Sequence, residues 1–389
     1  MVRMDASTLV TPPYVAGPLR LEPFPALRLA PARVGNPTTG RAFARPYKDV
    51  SARLSRWQGR GYLRRDAEPA LYLHEYTAGG ITVRGLVGAL DVSHRATRPE
   101  ERAVLPHEGI HPAQADELAD RMEEMQLNPA PILLVHRGTE RQRRLLAEVA
   151  QRAPDHAFTD RGQQQHRIWA IREPELLVGI AEELAPSRVL IADGHHRYAA
   201  YLRLQRRQAA QHRSETAPRT RDFGLAMLVD QDDTPLFLGP IHRTLTATSL
   251  SDLRDAVLAV GQRFEAVAQS DAVAALSPTC LAATDGSTWA IIMLDLDDGE
   301  AAVEMLHRRI LPELAHGPAS IGYHHSVEDA LAKARPDQVA VLMPAPSVDL
   351  VLAIAAQDRL LPEKATSFQP KPSLGVLIRT LHAGAGGPS

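Results

Sequence analysis

The chain has 389 residues, 44% apolar and 23% charged, with a formal net charge of −2. That is the composition of a globular protein with a real core and length for two or three domains. Acids and bases are interspersed along it, so the concentrated basic excess of a nucleic-acid binder is missing. Its one cysteine, Cys280, excludes an intramolecular disulfide and a Cys-rich zinc site; in the apolar run Cys280-Leu281-Ala282-Ala283 it reads as a small buried hydrophobe. There is no secretory start with an apolar run of roughly 7–15 residues, and no stretch of the ~20 apolar residues needed to span a bilayer. A cytoplasmic protein with no membrane partner is expected.

Residues 1–64 are rich in Pro and Gly with short apolar pieces such as Leu19-Arg20-Leu21 and Leu27-Arg28-Leu29, and read as an irregular arm. Residues 70–77 and 81–90 predict two strands joined by a hairpin turn at Ala78-Gly79-Gly80. Pro112 suits the first position of a helix, in which Ala115, Leu118, Met122 and Met125 recur at spacings of three and four. Asp116, Glu117, Asp120, Glu123 and Glu124 form its solvated face. Short strands are predicted at 132–136 and 167–171, and a helix at 174–184. Val189-Leu190-Ile191-Ala192 is a continuous apolar run, as in a strand covered on both faces. A helix with Tyr198, Tyr201 and Leu202 on one stripe follows at once. Its basic continuation over 203–213 reads as a solvated face, and 207–221 as a loop or frayed end. Further on come a strand at 223–229, a helix within 250–267, a strand at 288–294, a strand and helix at 338–343 and 348–357, a last strand at 375–380 and a disordered tail. The alternation points to a mixed α/β (α+β) fold.

The chemistry concentrates at Asp193-Gly194-His195-His196-Arg197, where a buried strand turns sharply into a helix. The first turn of a helix presents unpaired backbone N–H groups and the positive end of its dipole, which together make an anion site. Asp193 suits a helix cap. Two histidines and an arginine beside a positive helix end repel one another unless Asp193 or a bound phosphate or carboxylate offsets them. A second cluster, His107-Glu108 with His111, precedes Pro112; a carboxylate near bound phosphate can take the proton of an attacking hydroxyl. The two histidines four residues apart mimic a zinc-protease pattern, but Gly109 and Pro112 oppose the helix it requires. His242-Arg243, Tyr323-His324-His325 and the group Lys364, Ser367 and Lys371 are further candidates. No Walker loop, no Gly-x-Gly-x-x-Gly after a strand and no Gly-x-Ser-x-Gly elbow occurs. No metal site is assigned.

In this order the islands resemble a family known as domain of unknown function 1015. Its marks are an Asp-Gly-His-His-Arg run after a buried strand, an upstream His-Glu, a downstream His-Arg and a C-terminal Pro-x-Lys-x-Thr-x-Phe-x-Pro-Lys stretch. They stand here as residues 193–197, His107-Glu108, His242-Arg243 and residues 362–371, within a resemblance covering roughly 65–380. The Asp-Gly-His-His-Arg run is also similar to the phosphate-binding motif of free serine kinases in the ParB/sulfiredoxin-like superfamily. This implies a ParB/sulfiredoxin-like core over 65–250 and a C-terminal α/β subdomain over 251–380 that completes the site, with 381–389 as the tail. Two places depart from the family: Arg45-Pro46-Tyr47-Lys48-Asp49-Val50 replaces the usual Pro-Pro-Tyr-Asp-Val, and Gly109-Ile110-His111 follows the His-Glu pair.

The resemblance implies a kinase that moves a phosphoryl group from a nucleotide (ATP or ADP) or pyrophosphate, with Mg²⁺, to the hydroxyl of serine or a similar small molecule. Glu108, Asp193 and His196 would be catalytic. Gly194, His195, Arg197, His242, Arg243, Lys364 and Lys371 would hold phosphate or nucleotide, and His107, Tyr323, His324 and Ser367 the acceptor. A non-catalytic nucleotide-binding regulatory module and a phosphate-ester hydrolase are the alternatives. The partners implied are small molecules, with nucleic acid disfavoured and a homodimer allowed.

Overall fold

In the computed structural model, which describes residues 9–35, 50–211 and 219–382, the apolar run before Asp193 is an interior strand, Val189–Asp193. Residues 45–49, the polar stretch 212–218 and residues 383–389 of the expected tail lie outside the described residues. The fold is mixed α/β, as the alternating periodicities predict. It divides into two units. The first takes Met1–Pro106, Ile110–Leu236 and Pro370–Ser389, and the second His107–Gly109 and Phe237–Gln369.

Among the described residues the first unit holds a ten-stranded mixed sheet. Val189–Asp193 lies in its interior, parallel to Arg102–Leu105 on one side and antiparallel to Ile132–His136 on the other. Ile132–His136 in turn runs parallel to Phe223–Asp230. Strands buried on both faces need apolar residues throughout, and Val189, Leu190, Ile191, Ile132 and Leu134 are fully buried. The hairpin is present as Leu71–Ala78 and Ile81–Asp91. Gly79 and Gly80 take the positive φ values, 57° and 81°, that a tight turn requires and that cost a glycine little. The helices Pro112–Met125 and Pro174–Leu184 appear as predicted. The helix His195–Gln211 buries Tyr198, Tyr201 and Leu202. Its Arg203 reaches Asp116, and its Arg207 reaches Asp120 and Glu123. The two charged faces predicted to be solvated therefore answer each other.

In the second unit six strands form an antiparallel sheet in the order Arg263–Val267, Trp289–Met293, Cys280–Thr284, Gln338–Leu342, His242–Thr246, Ser320–His324. Cys280 is a buried free thiol.

The helix expected within 250–267 is present as Leu250–Ala259; Gly261 then turns the chain at φ 75°, and the strand Arg263–Val267 follows. The last strand shrinks from 375–380 to Arg379–Thr380, paired with Leu127–Asn128. Along the chain the change of unit falls at Leu236, and residues from Pro370 onward belong to the first unit. Within the expected arm, Val15–Ala16 and Leu21–Glu22 pair into the large sheet. Local periodicity marks an element but not the sheet that recruits it, and two-residue strands leave almost no periodic signal. No helix among the described residues is long and apolar enough to cross a membrane.

Candidate functional site

In the first unit Val189–Asp193 carries Asp193 at its C-terminal end, and Gly194 makes the turn at φ 97°. A side chain there would be strained by that φ, and its Cβ, 3.0 Å from the Arg197 guanidinium, would push that group aside by a few tenths of an ångström. The Gly194 carbonyl accepts the first helical bond from Tyr198 N–H at 2.8 Å. The amides of His195, His196 and Arg197 are thus the donors that the helix itself leaves over.

Arg197 donates to the Asp193 carboxylate and to the Pro131 carbonyl, and Lys371 donates to the other Asp193 oxygen. Asp193 therefore holds two cations at the helix start. Each remains partly exposed, Lys371 to 48% and Arg197 to 23%, so both stay within reach of a ligand. Beside them opens a mainly apolar cavity of about 370 Å³, lined by Asp193, Arg197, Lys371 and apolar groups that include Met122, Met125 and Leu133. Cationic donors converging at one end of an apolar cavity suit a ligand with an anionic head and a flat or greasy body.

His195 is buried. His196 accepts the His111 amide at 3.0 Å through Nε2 and stacks on the His111 ring, so that nitrogen anchors the start of the helix Pro112–Met125. His111 is therefore part of this region, whereas His107 and Glu108 belong to the second unit.

In the second unit Glu108 bridges to Leu361, and the His107 carbonyl accepts Leu361 N–H at 2.7 Å. Thr366 donates to Glu108 at 3.4 Å, and so accepts from His107 Nε2 at 2.8 Å. The Glu108 side chain is 19% exposed, and burial lifts its carboxyl to about pH 7 against the opposing pull of Lys364 and Thr366. A carboxyl that titrates near neutrality is suited to act as a general base.

Arg243 is fully buried; it donates to the carbonyls of Ile241, Glu363 and Lys364 and to His307 Nε2. It is placed as an internal strut rather than as a direct phosphate ligand. That strut holds Lys364 at a φ of 56°, an uncommon conformation for a side-chain-bearing residue. Burial, then Arg243, depresses His307 to about 3; burial, Arg243 and His324 depress His242 to about 4. His242 Nδ1 accepts Met343 N–H, His324 bonds Thr244, and Ser367 bonds His325. Burial raises the Tyr323 phenol, whose ring lies under the Arg243 guanidinium at 5.3 Å.

The predicted residues thus fall into two groups. Asp193, Gly194, His195, His196, Arg197 and Lys371 gather in the first unit. His107, Glu108, His242, Arg243, Tyr323, His324, Lys364 and Ser367 lie in the second. Sequence reasoning chose Ser367 and missed Thr366. Lys364 sits in a turn at φ 56° and the strand starts only at Ser367, so no alternation through the segment singled out Thr366. His307, and the cavity residues contributed by the amphipathic helix Pro112–Met125, carried no signal beyond ordinary core pattern.

Among the described residues no group of three or more His, Cys, Asp or Glu could hold a metal ion. Both oxygens of Asp193 are engaged by cationic side chains.

A family model described as a protein of unknown function, DUF1015, matches residues 18–312, well over half of the chain. The chain belongs to the DUF1015 family. No curated protein sequence matches this DUF1015 member. Among solved structures it is similar to SbnI with a C-terminal truncation from Staphylococcus aureus, with a TM-score of 0.41 and 11% identity over 72% of this chain and 84% of that one. It is also similar to a free serine kinase in complex with AMP (TM-score 0.37, 15% identity, 72% and 89% coverage). A third is a conserved hypothetical protein from Pyrococcus furiosus (0.35, 15%, 71% and 92%).

Proposed function

We propose that this DUF1015 member is a small-molecule phosphotransferase whose first unit binds the phosphates of a nucleotide or of pyrophosphate. The observation that carries the reading is the Asp193–Arg197–Lys371 triad, set at an open helix start on the rim of an apolar cavity. Helix-start amides together with two flexible cations favour phosphate oxygens, and the cavity suits a nucleobase or another apolar group. Reaction class comes from the likeness of Asp193-Gly194-His195-His196-Arg197 to the free serine kinase motif, with a hydroxyl compound such as serine as acceptor.

On this reading Glu108 is the base. With its carboxyl near pH 7, it is substantially ionised at neutral pH and takes the proton from the acceptor hydroxyl as the phosphoryl group transfers. The Thr366 hydroxyl orients it, and the Arg243 strut fixes Lys364 nearby. Asp193 presents Arg197 and Lys371 to the incoming phosphate.

The test is a coupled assay of purified protein with ATP, ADP or pyrophosphate against a panel of hydroxy amino acids. The reading expects donor-dependent formation of a phosphorylated acceptor, lost in Glu108→Gln while donor binding persists. Tight binding of nucleotide with no turnover on any acceptor would move the assignment to a regulatory nucleotide-binding module. Phosphate release from O-phosphoserine without nucleotide would move it to ester hydrolysis.

A further inference from the structure

Lys371 lies in a short segment without regular structure, yet its backbone is held at several points. Tyr76 donates to the Pro370 carbonyl at 2.6 Å. Gln164 Nε2 donates to the Lys371 carbonyl at 2.9 Å, and Gln164 Oε1 accepts both the amide and the hydroxyl of Ser373 at 3.1 Å. Pro370 and Pro372 restrict the backbone on either side. A single side chain, Gln164, thus grips the chain on both sides of Pro372.

Gln164 is itself fixed. It sits beyond the turn after the strand His156–Thr159, where its amide donates to Asp160 at 2.9 Å and its carbonyl accepts from the Asp160 amide at 2.9 Å. Behind Asp160 runs a buried polar chain. His166 Nε2 lies 3.2 Å from the Asp160 carboxylate, and His74 Nε2 lies 3.0 Å from His166 Nδ1. A carboxylate can only accept, so His166 donates through Nε2, and its Nδ1 accepts the proton of His74 Nε2. Burial holds both imidazoles in the neutral form that this order needs. Asp160 stays below the usual carboxylate range although burial opposes it, because the polar groups of Ser373, His166 and the Gln164 amide around it favour its charged form. Three buried polar groups in a row are expensive unless each bond is made, and this row ends on the residues that carry Lys371.

We propose that Gln164 is a positioning residue for the phosphate site: it holds the Lys371 backbone so that the ammonium meets Asp193 and the incoming phosphate, with Asp160, His166 and His74 as its buttress. This rests on the phosphate-binding reading of the Asp193 turn and adds to it a residue that touches no ligand.

The experiment is calorimetric titration of inorganic pyrophosphate, and separately of ADP, into the full-length protein, Lys371→Ala, Gln164→Ala, Ser373→Ala and the two double variants with Lys371→Ala. Lys371→Ala is expected to weaken binding about ten-fold, the scale of one charge-assisted hydrogen bond. Gln164→Ala is expected to weaken it several-fold and Ser373→Ala less, and neither to weaken it further once Lys371 is alanine. A purely structural role would lower affinity equally in both backgrounds; that additivity overturns the proposal, as does unchanged affinity in Gln164→Ala beside a clear loss in Lys371→Ala. Both outcomes leave the phosphate reading intact. Should Gln164→Ala fail to fold, the Ser373→Ala cycle decides alone. Unchanged affinity in Lys371→Ala overturns the positioning proposal, and no binding of either ligand by the wild-type protein overturns the phosphate reading as well.

Discussion

Around Asp193 charged groups meet at a partly exposed helix start, whereas around Glu108 loss of solvent drives Glu108, His242 and His307 toward their neutral forms. In the first region Arg197 and Lys371 both donate to the one Asp193 carboxylate. In the second, burial raises Glu108 to about 7 and lowers His242 and His307 to about 4 and 3. Partly exposed charges attract an anion over a wide pH range, and salt screens them. Desolvated groups respond little to salt but change state with pH. On the proposed reading the first cluster binds phosphate and Glu108 of the second takes up the proton.

The largest effect expected to test that division is in Glu108→Gln. Turnover should fall by about 10²–10⁴-fold, the usual contribution of a general base, with ADP affinity unchanged in calorimetry. Joint loss of both would break the division. In the wild type, kcat/KM should climb about ten-fold per pH unit below pH 7 and flatten above it, as the carboxyl ionises. Stability has the opposite sign. The folded protein keeps a proton on Glu108 that the unfolded chain releases above about pH 4.5, so this group's contribution declines as pH rises from about 4.5 to 7. Glu108→Gln should therefore melt higher relative to wild type at pH 8 than at pH 5.

Arg197→Ala comes next. Losing a charge-assisted donor, worth roughly 1.5–3 kcal/mol, should weaken ADP binding by at least ten-fold at low salt. The loss should shrink at high salt, and the pH profile of turnover measured at saturating donor should keep its midpoint. A shifted midpoint would join what the comparison separates.

Gly194→Ala should act on stability at the first region alone. The φ of 97° and the close Arg197 guanidinium predict destabilisation by about 1–3 kcal/mol, read as a lower melting temperature. Acid sensitivity belongs to the other region. His242 and His307 are neutral in the folded protein, and the unfolded chain takes up their protons below about pH 6.5. His242→Asn should therefore flatten the decline of the melting temperature between about pH 6.5 and 4, the smallest of these effects.

Much of the first region was legible in the sequence. An apolar run, a glycine and a cluster of cationic residues at a helix start define a strand–turn–helix anion site by local rules, and Pro112 and the spacing of Met122 and Met125 define the neighbouring helix. The clamp on Lys371 was not legible, because Gln164 and Ser373 are 209 residues apart and polar residues in turns are ordinary. The second region was legible only as residue names. That Arg243 would turn inward onto carbonyls, and that Thr366 rather than Ser367 would reach Glu108, depends on which side of an extended segment faces the interior.

The most direct test of the account is residue-resolved amide hydrogen exchange with and without saturating ADP. If the turn after Val189–Asp193 cradles phosphate, the amides of His195, His196 and Arg197 gain protection on ADP binding and lose that gain in Arg197→Ala. Protection that appears elsewhere in the chain while these three amides exchange unchanged would contradict it.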